Sequence, residues 1–429
     1  MELDVHGSVA QVELRLDGAP LTSLDSPPWQ ISIDLGPGLA PHELVARALD
    51  ERGGELARAR QWINMPRPPA EAEILLERDR EGRVAAARIA WQSLMGEEPT
   101  RVSVSFDGRP LPLDAARRVK IPSHAQDVAH VVTVELDFES GVHSRDDVAF
   151  GGAAGEQAQS ELTAVPIRTW KKSSRVDPAA LEGLFRGDPA SGALRAGASA
   201  ALRVAAAERG GASIWIVRDD NAGETYSHLK DSSIFGGGFA PSALALRKND
   251  AVQFVWPRAR AYGASGLPTA LFPSSEGFSR SDGGFAYLLT HVANPEPAGI
   301  FPMYADAVAV AGVNAFASFA RRAVVLVLGK EAQDASTHTP RAVRRYLEAL
   351  RVPLFVWSLE GAGTGGAAPP GSPWGEVVPV ATRPQLRAAY SRLRESLDSQ
   401  AVVWVEGRLL PQQIALAPEA AAAGVELLH

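Results

Sequence analysis

The stretch from residue 323 to residue 361 constrains the fold of this chain more than any other. Two short runs rich in β-branched residues, 323–328 and 353–359, flank a segment of helical length. Thr339 and Pro340 fit the N-cap and the first position of that helix. Apolar residues recur at the spacing of one helical face: Val343, Leu347 and Leu350. Buried strands joined by a helix are typical of a parallel sheet, so the sequence predicts an α/β domain whose ligands bind beyond the strand ends.

Further strands and helices of the same pattern surround this unit. Apolar runs predict buried strands at 213–217, 251–256 and 401–405, the last of which closes the sheet. Helices are predicted at 304–319 and from Pro384 onward, because their apolar residues follow a helical period. Strands that alternate with helices in this way indicate one α/β domain.

The N-terminal part of the chain contains an internal repeat. The segment 12–21, VELRLDGAPL, is matched by the segment 102–111, VSVSFDGRPL. In both, alternating residues predict a half-buried strand, and Asp-Gly supplies the positive φ angles of a tight hairpin. A second matching pair of strands opens on His42 and His130. The repeat therefore predicts two small all-β sandwiches.

This repeat resembles bacterial immunoglobulin-like modules, in which a strand with an Asp-Gly turn precedes a strand that opens on His. The two predicted modules span residues 1–70 and 71–155, and the Pro-rich run 66–69 makes a stiff junction between them. Residues 156–212 are a connecting segment, in which small side chains leave both strand and helix open.

Composition excludes several classes of protein. A chain of 429 residues is long enough for two or three domains. Its formal net charge of -7 argues against a sequence-independent nucleic-acid binder, and the absence of cysteine excludes disulfides and thiolate metal sites. Its apolar runs are much shorter than the roughly 20 residues of a membrane-spanning helix. The first residues do not resemble a signal peptide, which fits a cytosolic protein or an exported one after signal removal.

Four segments carry a family resemblance: 303–307 before a helix, 321–328 as the central strand, 352–356 as the next strand, and 397–403. Their order and spacing are similar to the von Willebrand factor A-like family, in particular to a branch common in acidobacterial genomes. The resemblance implies a doubly wound, mostly parallel α/β sheet over residues 213–429. It also implies a secreted or periplasmic protein, while a cytosolic location stays open.

Members of that family hold Mg²⁺ or Mn²⁺ through an Asp-x-Ser-x-Ser loop, a Thr, and an Asp that follows the central strand. Mg²⁺ needs such converging oxygen ligands because it requires octahedral geometry. In this chain Asp219 fits the first position, but Asn221 and Gly223 replace the two serines and Gly329 replaces the second Asp. The region 297–302, where the Thr is expected, contains none. The sequence therefore predicts neither a metal nor a cofactor.

Other patterns suggest chemistry, but none completes a site. G-x-G-x-x-G at 361–366 is followed by Ala-Ala-Pro-Pro-Gly, where a helix must begin to receive a pyrophosphate. Ser279 lacks the second glycine of G-x-S-x-G. His124 and His130 are predicted to be satisfied or exposed rather than metal ligands, and no carboxylate partner can be assigned to His291.

These observations predict a non-catalytic interaction or adhesion protein that binds a protein partner without a metal. The predicted contact surface is formed by loops at the strand ends and carries Asp219, Asp220, Asn221, Glu224 and Lys330. Trp29 and Trp374, each beside a proline, are further candidate contact residues. Two alternatives stay open: an α/β hydrolase that uses Asp219, Asp220 or His291, and a structural subunit of a larger assembly. The sequence does not set the oligomeric state.

Overall fold

A computed structural model of the chain describes two compact units. One comprises Met1–Pro66, Ala164–Val405 and Leu409–His429, and the other comprises Arg67–Thr163 and Glu406–Arg408. The domain boundaries at residues 70, 155 and 212 stay predictions. The described residues are all those outside 1–4, 6–8, 37, 52, 67–69, 80–81, 94–95, 125–129, 140–141, 152–157, 160–161, 170–175, 188–200, 219–228, 230–243, 259, 263–268, 294–300, 319, 330–333, 360–371, 408 and 429.

The chain begins with one four-stranded antiparallel sheet. Its strands are β1 (Gln11–Leu16), β2 (Ala19–Leu24), β3 (His42–Leu49) and β4 (Glu55–Ile63), in the order β2-β1-β3-β4. One face buries Val12, Leu14 and Leu44. On the other face Arg47 donates to Glu13 at 2.8 Å and to Glu55 at 2.7 Å, so a charged ladder covers the side of the sheet that water reaches.

The second unit is a β-sandwich. Its strands are β5 (Ala70–Arg78), β6 (Val84–Ser93), β7 (Arg101–Phe106), β8 (Arg109–Leu111), β9 (Arg118–Lys120), β10 (His130–Asp137), β11 (His143–Phe150) and β12 (Ala158–Gln159). They form a sheet of order β12-β11-β10-β7-β8 and a sheet of order β5-β6-β9. Ile74 and Ile89 from the smaller sheet share one core with Val104, Val132 and Leu136 from the larger. Two sheets around one apolar core are the architecture predicted for residues 71–155. For residues 1–70 the sequence predicts another sandwich, whereas their described part forms the single sheet β2-β1-β3-β4.

The internal repeat is present in the structure as one repeated strand order and one repeated turn. The order β2-β1-β3-β4 recurs as β8-β7-β10-β11. Asp17 and Asp107 both have positive φ angles, of 53° and 48°. His42 Nδ1 lies 2.8 Å from Asp17 Oδ2, and His130 Nδ1 lies 2.7 Å from Asp107 Oδ2. The histidine that opens each inner strand therefore anchors the hairpin turn, which explains His130 without a metal.

The Asp107 turn gives a pH-dependent prediction. Burial acts to raise the pKa of Asp107 and is the largest single influence, but hydrogen bonds from His130 and the Val131 amide together lower it below the ordinary value. A lowered folded-state pKa stabilises the fold above about pH 4, and this contribution is lost as the pH falls through the folded-state value. Asp107→Ala should therefore destabilise the second unit by about 1–2 kcal/mol at pH 7, because it removes two hydrogen bonds. Urea unfolding should show that the difference from wild type shrinks below pH 4; a difference independent of pH would contradict this account.

Between the sandwich and the α/β domain, the described part of the segment predicted to be a connector contains three strands in addition to β12. They are β13 (Leu162–Thr169), β14 (Phe185–Gly187) and β15 (Val204–Glu208), with a 3-10 helix at Pro178–Leu181. Asp177 caps that short helix by accepting from the Ala179 amide at 3.0 Å. The structure thus resolves the choice between strand and helix at 204–208 in favour of a strand.

The α/β domain contains a five-stranded parallel sheet. Its elements are β16 (Ala212–Arg218), β17 (Ala251–Val255), β18 (Arg260–Tyr262), β19 (Thr269–Leu271), α1 (Phe285–His291), α2 (Tyr304–Ala317), β20 (Arg321–Leu328), α3 (Pro340–Ala349), β21 (Leu354–Ser358), β22 (Val377–Pro379) and α4 (Arg383–Ser399). The parallel order is β17-β16-β20-β21-β22. The run 273–278 continues beyond β17 in the antiparallel direction, since Val252 and Phe278 exchange two backbone hydrogen bonds of 2.8 Å. The strands β18 and β19 form a separate hairpin.

Helices cover both faces of this sheet. Alternate residues of β20 point to opposite sides: Val325 packs with α1 and α4, and Val324 packs with α2 and α3. The predicted helical stripes are buried, and Thr339 caps α3 by accepting from the Ala342 amide. The expectation that Trp374 is exposed was wrong, because it is 6% exposed and packs in the core beneath α2 and α3.

The C-terminal strands form a further β module with the segment before the α/β domain. They are β23 (Gln400–Glu406), β24 (Ile414–Leu416) and β25 (Val425–Leu427), with a 3-10 helix at Pro411–Gln413 and α5 (Glu419–Ala422). The sheets have the orders β15-β23-β13-β25 and β14-β24, and Ile167, Phe185 and Val403 lie in one core. The prediction that 401–405 closes the α/β sheet was therefore wrong. The strand β23 pairs instead with β15, through Val204 and Val405, and lies between β15 and β13 in its own sheet.

Candidate functional site

Parallel α/β sheets usually bind their ligands at the carboxyl ends of the strands. The predicted contact residues Asp219, Asp220, Asn221, Glu224 and Lys330 lie outside the described residues, so their arrangement stays a prediction. The described part of this edge, called the strand-end surface below, consists of Arg218, Gly329, the end of α1 at 291–292, and the segments 301–306 and 334–338.

No helix in the described part of the chain is long and apolar enough to cross a membrane.

Arg218 ends β16 immediately before the loop that the family resemblance would make a metal site. The residue is only 4% exposed, and its Nη2 donates to the carbonyl oxygen of Val292. Its guanidinium carbon lies 5.4 Å from the centre of the Phe254 ring. These contacts hold the Arg218 guanidinium at this edge of the sheet.

Gly329, after the central strand β20, supplies no side-chain ligand to the same edge. A Cβ placed there would meet no heavy atom within 4 Å, so the position has room for a larger residue. Among the described residues, no group of three or more His, Asp or Glu side chains is arranged to hold a metal ion. The described part of the strand-end surface therefore contains the Arg218 guanidinium and, at residue 329, no side-chain ligand.

The N-terminus of α2 is occupied by a carboxylate from the loop between β20 and α3. Asp334 accepts from the amides of Tyr304 at 2.9 Å and Ala305 at 3.2 Å. Ser336 Oγ donates to Asp334 at 2.5 Å. Two of the amides that a helix start leaves unpaired are thereby satisfied, and the carboxylate lies at the positive end of the helix dipole.

A second carboxylate fastens the same loop from the other side. Asp306, in the first turn of α2, accepts from the amides of Thr337 at 2.8 Å and His338 at 3.1 Å. His338 Nδ1 lies 2.8 Å from Asp306 Oδ1. Asp334, Ser336 and His338 are not identifiable as site residues from the sequence, where their only signal is the run of capping residue types that precedes Pro340.

Among the described residues, the hydrogen-bond partners of His291 lie on its own helix. Its Nδ1 lies 2.8 Å from Thr290 Oγ1 and 3.0 Å from the Tyr287 carbonyl oxygen, both on its own helix. Its ring stacks on Tyr287 with the ring centres 4.3 Å apart. Tyr287 is 38% exposed and Phe301 is 60% exposed, so the described strand-end surface offers aromatic contact area.

The remaining candidates have structural explanations or lie outside the described residues. Ser279 Oγ donates to Asp282 at 2.9 Å and Ser279 N donates to the same carboxylate at 2.7 Å, which lowers the pKa of Asp282. This arrangement is a capped turn rather than a nucleophile elbow. The glycine-rich run 361–366 lies outside the described residues.

Comparison with known proteins gives only distant likenesses. No protein-family model matches the sequence, and no curated protein matches it significantly. Similar solved structures include fibronectin(III)-like modules of CbhA from Clostridium thermocellum (15% identity, 36% of this chain and 84% of that one, TM-score 0.16). They also include proximal thread matrix protein 1 from the mussel byssus (15% identity, 51% of this chain and 49% of that one, TM-score 0.27). A third is the central fibronectin-III array of RIM-binding protein (13% identity, 43% of this chain and 73% of that one, TM-score 0.21). At these TM-scores none of the likenesses carries an argument about this chain.

Proposed function

We propose that this chain is a non-catalytic interaction protein whose α/β domain is of the von Willebrand A-like type and binds a protein partner without a metal. The domain type is supported by a parallel sheet with helices on both faces and an antiparallel run at the β17 edge. The β modules that come before and after this domain in the sequence are compatible with a modular protein that contains such a domain.

The observation that carries the metal-free part of the proposal is Gly329 at the end of β20. Gly329 stands where the von Willebrand A-like family carries a carboxylate ligand and supplies no side-chain oxygen, which favours a surface that needs no bridging ion. Affinity would then come from exposed side chains around the edge, of which Phe301 and Tyr287 are the largest described apolar ones.

The proposal predicts that partner binding survives chelation and depends on the exposed aromatic residues. The full chain would be used to capture partners from the native organism in EDTA and in excess Mg²⁺, with quantitative mass spectrometry as the readout. Phe301→Glu should lower recovery of a specific partner about tenfold or more, as expected for loss of an interface anchor. Val131→Glu, a matched change at an exposed apolar residue of the sandwich, should leave recovery unchanged.

Two results would contradict the proposal. Partner recovery that requires Mg²⁺ and disappears in EDTA would restore a metal-bridged surface. Partner recovery that responds equally to Phe301→Glu and Val131→Glu would instead indicate contacts spread along the whole chain, as in a structural subunit.

A further inference from the structure

The helix α3 carries three arginines on its outer face. Arg341 and Arg345 are exposed and lie about one helical turn apart, and Arg344 lies between them and is partly exposed. The opposite face buries Val343 and Leu347 in the core, so the arginines point away from the sheet. The three guanidinium groups therefore share one outward stripe of the helix.

These arginines have no acidic partner in the part of the chain that the structure describes. None of the three takes part in an ion pair or a hydrogen bond of its side chain there. On the charged face of the first sheet, by contrast, Arg47 lies 2.8 Å from Glu13 and Arg60 lies 2.8 Å from Glu43. The chain has 50 acidic residues against 43 basic ones, so a shortage of carboxylates does not explain three unpaired arginines on one helix.

The arginines are also placed unfavourably for the helix itself. Arg341 lies in the first turn, at the positive end of the helix dipole, and this turn contains no acidic residue. Like charges three or four residues apart repel, so Arg341 is repelled by both Arg344 and Arg345. The helix α2 has the opposite arrangement, with Asp306 in its first turn. A local cost that nothing in the described part of the chain offsets is typical of a residue set that serves binding.

The basic surface continues from α3 to the segment that leads into β22. A Cβ at Gly375 would lie 2.6 Å from Arg344 Nη1, so the Arg344 guanidinium lies directly over the backbone of this glycine. On α4, Arg392 Nη1 lies 3.5 Å from Glu376 Oε1, and both side chains are largely exposed. Guanidinium groups from two helices thus lie beside adjacent residues of this segment.

The arginine surface, which consists of Arg341, Arg344, Arg345 and Arg392, fits a ligand with several carboxylates. A guanidinium binds a carboxylate through two parallel hydrogen bonds, which a lysine cannot form. Arg341 and Arg345 are four residues apart in a helix, which is about 6 Å along its axis. Alternate residues of an extended chain point the same way and are about 6.6 Å apart. Carboxylates at every second position of an extended segment therefore match the spacing of these two arginines.

We infer that the arginine surface binds an extended segment of a protein partner that has acidic residues at alternate positions. A nucleic acid carries a phosphate at every nucleotide, and a chain with a net charge of -7 opposes its approach more strongly. The inference rests on the proposed function, because it names the charge of the partner segment. The arginine surface begins just after the segment 334–338 of the strand-end surface, but it includes neither Phe301 nor Tyr287.

Two capped peptides test this chemistry directly. The full chain, with isotope-labelled arginine, would be titrated with acetyl-Glu-Ala-Glu-Ala-Glu-amide and with acetyl-Lys-Ala-Lys-Ala-Lys-amide, and the arginine Nε–H signals would be followed by NMR. The glutamate peptide should shift the signals of Arg341 and Arg345 and bind about tenfold more tightly than the lysine peptide, as expected for a few exposed ion pairs. Equal binding of the two peptides, or shifts confined to other arginines, would overturn the inference. So would tighter binding of a single-stranded oligonucleotide of the same length.

Matched variants separate loss of binding from loss of folding. Arg341→Glu combined with Arg345→Glu should weaken binding of the glutamate peptide about tenfold. The unfolding midpoint should stay the same or rise, because a carboxylate in the first turn suits the helix dipole. Arg186→Glu combined with Arg280→Glu, at two exposed arginines outside the arginine surface, changes the net charge equally and should leave the affinity unchanged.

Two results with these variants would overturn the inference. A lower unfolding midpoint of the α3 double variant would show that its arginines stabilise the helix rather than serve binding. Equal losses of affinity in the two double variants would show a response to net charge alone.

The two proposals can fail separately. If the glutamate peptide does not bind while Phe301→Glu still removes the partner, the inference about the arginine surface is wrong and the proposed function stands. If the peptide binds as expected while partner capture is independent of Phe301, the aromatic residues of the strand-end surface are not the contact and the arginine surface is.

Discussion

Gly211→Ala is expected to destabilise the α/β domain by about 3–5 kcal/mol, the range of severe overpacking. A Cβ at this position would lie 1.7 Å from the Asn249 carbonyl oxygen and 2.6 Å from its carbon. The opposing backbone cannot easily withdraw. Asn249 has a φ of 74°, and the neighbouring Asp250 carboxylate accepts from the amides of Ala212 and Arg247, both at 3.0 Å. The clash therefore acts where β16 and β17 begin their parallel pairing.

The adjacent glycine provides a matched control for this prediction. A Cβ at Gly210 would meet nothing within 4 Å. Gly210→Ala should therefore change the free energy of unfolding by no more than about 1 kcal/mol, and loss of unfolded-state entropy favours a small gain. Urea unfolding of the two variants would measure the difference. Similar effects at both positions would show that the close approach of β16 and the Asn249 turn does not exist.

Gln400→Leu is expected to cost about 2–5 kcal/mol, because it leaves two buried backbone groups without partners. Gln400 is fully buried, its Oε1 accepts from the Arg322 amide at 2.8 Å, and its Nε2 donates to the Arg322 carbonyl oxygen at 3.1 Å. Water cannot readily replace it. The Arg322 guanidinium is also buried, which lowers its pKa to about 9, and it donates to the Phe316 carbonyl oxygen near the end of α2.

Gln11→Leu is the control for that substitution. Gln11 donates to the exposed Asp25 at 2.7 Å, so its loss leaves no buried group unpaired and should cost less than about 1 kcal/mol. Thermal unfolding followed by calorimetry would compare the two variants. If Gln400→Leu lowered the stability no more than Gln11→Leu, the hydrogen bonds between Gln400 on β23 and Arg322 on β20 would not contribute to the stability of the fold.

The sequence predicted those parts of the fold whose signals are local. The helical stripe that includes Leu386, Tyr390 and Leu393 is buried, and the two Asp-Gly turns have the positive φ angles that they require. The C-terminal β module was not predictable in the same way. Ile167 pairs with Leu427, although the two residues are far apart in the sequence. The apolar run of β23 would fit the parallel sheet as well as the sheet in which it is found. Its placement depends on the pairing of β23 with β15, which lies about 200 residues earlier in the chain.

The candidate site was only partly predictable for a related reason. The sequence has glycines, Gly223 and Gly329, at two positions where the von Willebrand A-like family has metal ligands. This difference predicts a metal-free surface. The position of the Arg218 guanidinium at the strand end, by contrast, depends on the burial of this side chain against Phe254. The loop that Asp334 and Asp306 fasten to α2 depends on hydrogen bonds between residues about 30 positions apart. Neither contact leaves a periodic pattern.

Titration of the full chain with Mn²⁺, followed by isothermal calorimetry and by the unfolding midpoint, tests the central claim most directly. The account predicts no saturable binding with a Kd below about 1 mM and no shift of the midpoint, because a specific ion would stabilise the folded state. Micromolar binding that Asp219→Ala abolishes, and that the matched Asp282→Ala preserves, would contradict a metal-free strand-end surface.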